Sequence, residues 1–398
     1  MLQLSFVTIK AGNYLLVEGK ENCDRFYIIQ QGTVRCFKSN NPQGSRRDLG
    51  PGDFVGVVSC MSNHAQVENV LATSDVKCIS VLKDQYPELI ATNTPIALKV
   101  IRTFANRMRL MNEDLTKSTL KNISLDTPEH IYEVAKCYDD KGENSIASYA
   151  YYRYLKECPN GTHREEAVKK FSTYRNLSKA VYLEPNADLT RNYPKGTMIM
   201  AESQKGAEMF VIQDGQVAIS KVVNGAEVVL AVLHKGDMFG EMALLENKPR
   251  SACAIANENC RLMVVNRQNF DQMVSTQPQL ISRLTITLAE RLWSMYRQLD
   301  NAVLINPLYK VVDMLALQLE KARTFSGQYQ TEITVTDLLN MCAIPDHIKP
   351  QVTYQIQNEV KIKLNADSGK IFIPSCQEIL NQAVYFRKKN AKEMQAQK

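Results

Sequence analysis

One short run of the chain brings an arginine, a carboxylate and a tight glycine turn close together. It reads Gly236-Asp237-Met238-Phe239-Gly240-Glu241-Met242-Ala243-Leu244-Leu245, followed by Pro249-Arg250-Ser251-Ala252. Gly240 lets the backbone turn where a side chain would block a ligand. The next five residues are good helix formers, and the free N–H groups at a helix start favour an anion. Arg250 can grip two phosphate oxygens through its planar fork, which lysine cannot copy. Ser251 can donate one more hydrogen bond. Glu241 only accepts at neutral pH, so it suits a sugar hydroxyl and repels phosphate. Taken singly, these are a surface arginine and a turn before a helix. Their order and spacing together make a cradle for an anion.

The run resembles the phosphate-binding cassette of cyclic-nucleotide-binding domains, found in Crp/Fnr regulators and in regulatory subunits of cyclic-nucleotide-dependent protein kinases. The resemblance implies Glu241 on the ribose hydroxyl, and Arg250 with Ser251 on the cyclic phosphate. Gly240, Met242, Ala243, Ala252 and Tyr296 complete the implied ligand-binding set. The implied ligand is a cyclic nucleotide, with cAMP the first choice, and no cofactor is called for.

The elements that must position this cradle occur twice. Phe210-Val211-Ile212-Gln213-Asp214-Gly215 answers Tyr27-Ile28-Ile29-Gln30-Gln31-Gly32. Lys235 to Gly240 answers Pro51 to Gly56, and Ala289-Glu290-Arg291-Leu292 answers Ala105-Asn106-Arg107-Met108. Short alternating strands cut by glycine turns predict a jelly-roll or barrel in each copy. The resemblance covers roughly 10–115 and 190–304. Ungapped pairing places Val57 at Glu241, Gln66 at Arg250, Val67 at Ser251 and Glu68 at Ala252. The first copy therefore lacks the phosphate arginine and carries an acid beside the place for the anion. It reads as a pseudo-site, since burying an unpaired phosphate costs several kcal/mol.

The resulting expectation is an α+β chain of four parts. Residues 1–118 form a degenerate β-roll with a terminal helix, and 119–185 a helical insert similar to a tetratricopeptide repeat. Residues 186–304 form the ligand-binding β-roll with a long helix, and 305–398 a winged-helix-like module of Crp/Fnr type. In the insert, Ala135, Tyr138, Gly142, Ala147, Tyr151, Leu155, Pro159 and Ala167 carry the repeat pattern. One and a half repeats fall short of the usual three, so a plain helical spacer is an open reading. The stripe Leu280, Leu284, Leu288, Leu292, Met295, Leu299 has seam spacing and predicts a homodimer.

The output end divides the readings. The stretch 345–360 holds no arginine and one lysine, and guanine readout wants either. Lys349, Gln351, Tyr354 and Gln355 are the usable DNA-binding candidates. DNA binding stands beside a second reading, a protein-contact module with a partner docked on 131–171.

Composition bounds these readings. A chain of 398 residues suits several domains, and a net charge of +6 only hints at a polyanionic partner. Ten cysteines without a Cys-x-x-Cys pair argue against a zinc site and for free thiols in a cytoplasm. Met1 to Tyr14 lacks a signal-peptide pattern, and no apolar run reaches membrane-span length. There is no Ser/His/Asp set, His-Glu-x-x-His or Walker loop, so no catalytic residue and no enzyme is expected.

Overall fold

The computed structural model describes residues 4–39, 46–120, 127–177, 182–184, 186–223, 225–246, 248–342, 344–365 and 369–396. In the first repeat, one antiparallel sheet runs Ser5–Ile9, Val76–Leu82, Arg25–Gln31, Phe54–Val55 in spatial order. The other runs Tyr14–Leu16, Asn69–Ala72, Val34–Phe37, Arg47–Leu49. The second repeat has the same order, strand for strand. Its sheets run Thr190–Tyr193, Cys260–Asn266, Glu208–Asp214, Met238–Phe239 and Met198–Met200, Cys253–Ala256, Val217–Val223, Ala226–Leu233. Val76–Leu82 and Cys260–Asn266 even share one burial pattern, starting buried, exposed, buried. Alternation buries one face of each strand, and two such faces close the roll.

Helices follow each roll at equivalent places. In the first, α1 is Val57–Ser62, α2 Tyr86–Thr92 and α3 Thr94–Leu120. The insert supplies α4 (His130–Asp140), α5 (Asn144–Glu157) and α6 (Arg164–Tyr174). In the second roll, α7 is Glu241–Glu246, α8 Arg267–Thr276 and α9 Pro278–Ala302. Beyond it lie α10 (Pro307–Lys321), the strand Tyr329–Thr334, α11 (Val335–Met341) and α12 (Lys349–Glu359). Strands Lys363–Leu364 and Lys370–Ile373 and helix α13 (Cys376–Ala396) end the chain. Thr334 caps α11 through a reciprocal box with Asp337, as a threonine three residues before an acid should. Residues 366–368, in the expected wing turn, lie outside the described residues.

The insert does not stand apart. Ile131, Tyr138, Tyr149 and Tyr151 share a core with Met198, Val222, Cys253 and Ile255 of the second roll. Tyr138 donates to Glu227 at 2.7 Å, and Lys141 pairs with the same carboxylate. One face of the insert is therefore occupied by the second roll.

The two rolls join through their long helices. α3 packs along α9, α1 and α2 pack on α9, and α7 and α8 pack back on α3. These reciprocal contacts are the pattern of a two-fold interface, here made within one chain. Leu284, Leu288, Leu292 and Met295 are buried against Val100, Ile101, Phe104 and Met108 in one continuous core. Tyr86 and Thr285 share a hydrogen bond of 2.9 Å across it, and Lys38 pairs with Asp300. The stripe on which the homodimer expectation rested has a partner within the chain. The apolar stripe that called for a second chain is covered by the chain's own first repeat, and a tethered copy out-competes a free one at ordinary concentration.

Light scattering at micromolar concentration should give the mass of one chain, with or without ligand. Leu292→Lys should lower the melting temperature sharply, as a charge buried in a core does, rather than halve the measured mass.

Candidate functional site

The two glycines that open the cassettes adopt the same strained turn: Gly56 and Gly240 both have φ near +79°. A Cβ at Gly240 would sit 2.7 Å from a terminal nitrogen of Arg250. The turn thus needs glycine twice over, for its backbone angle and for room. α7 starts at Glu241, and the chain returns to place Arg250 beneath the turn.

Arg250 is 4% exposed. Its Nη1 donates to the carbonyls of Glu208 at 2.6 Å and Gly240 at 2.7 Å. Its Nε is buried without a partner. No carboxylate forms an ion pair with it among the described residues. Burial pushes the guanidinium down, to about 10, which leaves it charged at neutral pH. A buried cation without a counter-ion is costly, and an arriving anion would relieve that cost. Gly206 lies against this side chain: a Cβ there would fall 2.4 Å from Nε. Nothing in the sequence around Gly206 pointed to that role.

Glu241 is 2% exposed and pairs with Arg291 of α9 at 2.9 Å. Arg291 also donates to the Met238 carbonyl at 2.5 Å. The sequence held Arg291 only as a repeat match to Arg107, with no role given to it. That match was the signal available, since it put one arginine at the same place on each long helix.

These groups line a cavity of about 450 Å³. Gly240, Glu241, Met242, Arg250, Ser251 and Ala252 all line it. The Ser251 hydroxyl lies 3.6 Å from the Met242 sulfur. The side chain of Ala243 lies outside the described residues. Tyr296 stands apart from this set. It is not on the cavity wall but on the far side of α9, where its ring lies under Lys38 at 5.4 Å and Arg107 at 5.2 Å. The pairing of the rolls turned that helix face toward the first roll. The chain's one tryptophan, Trp293, lines the cavity instead and stacks on His64 of the first roll, ring centres 3.6 Å apart. Sequence spacing could not foresee this, because His64 lies more than two hundred positions away.

The equivalent place in the first roll is closed. Its residual cavity is about 20 Å³, lined by Gly56, Gln66, Glu68, Phe104 and Arg107 among others. Glu68 is 6% exposed and pairs with Arg47 at 2.5 Å and Arg107 at 3.2 Å. Burial raises the Glu68 carboxyl, but Arg107 and then Arg47 outweigh it and hold it below the usual range. This roll supplies its own anion to its own arginines.

Comparison with known proteins places the two rolls in a family. Residues 6–93 and 190–277 each match the model of the cyclic nucleotide-binding domain. The chain therefore carries two copies of that domain, and a cyclic nucleotide is the ligand class. A cyclic AMP receptor protein of Thermus thermophilus is 32% identical over 111 residues, 28% of this chain and 51% of that protein. A cAMP-dependent protein kinase regulatory subunit of Debaryomyces hansenii is 26% identical over 267 residues, 67% of this chain and 44% of that one. The chain thus spans about half the length of these relatives. Among solved structures, the regulatory domain of Toxoplasma gondii PKA co-crystallised with cAMP aligns with 70% of this chain and 84% of its own. Its TM-score is 0.22 and its identity 18%.

In the Lys349 to Gln355 set, Gln351 is exposed, Gln355 half-buried and Tyr354 70% exposed on α12. The Lys349 ammonium donates to Asn340 at 2.6 Å. Of the basic cluster at 387–389, Arg387 pairs with Asp313 and Lys389 lies over the Tyr309 ring. Lys349, Arg387 and Lys389 thus each have a partner within the chain. Among the described residues, no group of three or more His, Cys, Asp or Glu could hold a metal, and no helix is long and apolar enough to cross a membrane.

Glu68→Gln should destabilise the fold by about 1–3 kcal/mol, because it removes the carboxylate shared by the partly buried Arg107 and Arg47. Urea denaturation checks this. The parent's contribution from Glu68 is present above the ordinary carboxylate pKa and is lost as pH falls through the lowered folded value. His64 works in the same direction for a different reason. Burial first, then Arg323, Arg297 and Lys83, lower it to about 4. The unfolded chain takes up that proton near pH ~6.5, so stability should decline from there toward pH 4. His64→Phe should flatten that part of the melting profile.

Proposed function

We propose that this chain is a cytoplasmic cyclic-nucleotide sensor that binds one nucleotide, cAMP, in its second roll. The observation that carries the reading is the buried Arg250, which has no carboxylate partner among the described residues and lines a cavity of about 450 Å³. Arg250 and Ser251 would hold the cyclic phosphate. Glu241, already oriented by Arg291, would accept from the ribose hydroxyl. The named relatives, a cyclic AMP receptor protein and a cAMP-dependent kinase regulatory subunit, support the choice of cAMP. Ten buried free cysteines suit a reducing compartment.

The output would be transcriptional. The order helix, strand, helix, helix, strand, strand from α10 onward would suit a winged helix, with α12 as its reading helix. One chain has two rolls but one such module. A DNA reader of this kind would contact a single half-site, not the two half-sites of a symmetric dimer. A second reading is favoured by α12 itself. Its exposed face carries Gln351, Tyr354, Gln357, Asn358 and Glu359 and no free cation, which suits a protein partner better than phosphate. In that reading the chain is a nucleotide-responsive adaptor, and the insert is a further contact surface.

Calorimetry should give one cAMP per chain. Arg250→Ala should weaken binding by about 1.5–3 kcal/mol or more, the worth of charge-assisted hydrogen bonds. Gly206→Ala should weaken it too, by displacing Arg250. Two equivalent sites, or full affinity in Arg250→Ala, would reject the reading. Selection from random DNA with cAMP present should enrich a non-palindromic site if the module reads DNA. No enrichment, with a stable partner recovered on the 131–171 helices, would favour the adaptor.

A further inference from the structure

The wall of the second cavity is not built from the second roll alone. Besides His64 and Met108 of the first roll, it includes Lys321 and Arg323 of the C-terminal module. Lys321 ends α10, and its side chain makes no hydrogen bond or ion pair with another described residue. Arg323 follows in a left-handed conformation, φ 53°, unusual for a residue with a Cβ. It donates to the Ser62 carbonyl of the first roll at 3.2 Å and pairs with Glu290 of α9 at 3.1 Å. Three parts of the chain therefore meet in the wall of one cavity.

Resting on the cyclic-nucleotide reading above, we infer that Lys321 is a ligand-contacting residue through which bound nucleotide touches the C-terminal module directly. The inner end of the cavity is cationic through Arg250 and holds the phosphate. A nucleotide seated there turns its base toward the mouth, where Lys321 offers three donors to purine ring acceptors. Arg323 is a positioning residue, since its bonds to Ser62 and Glu290 fix the turn that presents Lys321. The rest of the module follows α10 as one body. Asp313 of α10 pairs with Arg297 of α9 and Arg387 of α13, and Asn301 donates to it at 3.0 Å. A contact at Lys321 thus acts on the whole module without a relay through the first roll. For a switch, the nucleotide must favour the pose in which this contact exists.

The test uses the full chain and cAMP. Hydrogen exchange should show cAMP protecting residues 319–327 as well as 241–252. Lys321→Ala should bind cAMP about tenfold more weakly, as loss of a hydrogen bond from a charged group predicts. It should also lose the protection at 319–327, while Lys321→Arg keeps both. Because Lys321 is exposed, the ligand-free melting temperature of Lys321→Ala should match the parent, which separates a binding defect from a folding one. Parent-like affinity in Lys321→Ala, with protection confined to 241–252, would overturn the inference and leave the nucleotide reading standing. A parent chain that binds no cAMP would overturn both.

Discussion

A guanidinium buried away from water must be given an anion, and the two halves of this chain meet that demand differently. In the first roll Glu68 sits between Arg47 and Arg107, and the cradle shrinks to about 20 Å³. In the second roll no side chain takes that place beside Arg250, and about 450 Å³ stays open. The backbone frame is the same in both, down to the glycine turn. Two positions separate the copies at this place: Gln66 where the second copy has Arg250, and Glu68 where it has Ala252. A solvated ion pair would be worth little in this comparison. The buried setting makes the counter-charge decisive, because breaking such a pair costs several kcal/mol.

Pairing of the rolls follows from their long helices. Each has an apolar stripe that its own roll cannot fully cover, and joining the copies in one chain lets each stripe cover the other. The consequence reaches the site. Packing of α3 on α9 turns Tyr296 toward the first roll and Trp293 toward the cavity, and brings His64 onto the Trp293 ring. The first roll has no open cradle of its own, yet it furnishes part of the second cavity's wall.

The C-terminal module is held to α9 by a buried charge cluster rather than by a loose linker. Burial raises the Asp313 carboxyl, but Arg297 and then Arg387 outweigh it and hold it below the usual carboxylate range. Three helices converge on that one carboxylate. α9, α10 and α13 are therefore tied to one another, and the cavity wall takes Lys321 from the end of α10 and Arg323 from the turn after it.

The sequence by itself determined the two rolls, the strand and turn pattern, the run at 240–252 and the missing arginine of its counterpart in the first copy. These rest on local rules: alternation for strands, glycine for turns with positive φ, residue chemistry for an anion cradle. It also placed α11 and α12, because a capping threonine and apolar spacing are local signals. Tertiary structure alone decided which faces of α9 met what. The seam spacing of Leu284, Leu288 and Leu292 is the same whether the partner helix is another chain or α3, so spacing could not choose between them. The choice rests on the tether and on the matching stripe of α3. Likewise Glu68 read as an acid near a missing phosphate, and only the fold brought Arg47 and Arg107 to it. Arg291, Gly206, His64, Trp293 and Lys321 entered the site for the same reason: a cavity wall is assembled from residues far apart in the chain, and no spacing rule spans that distance.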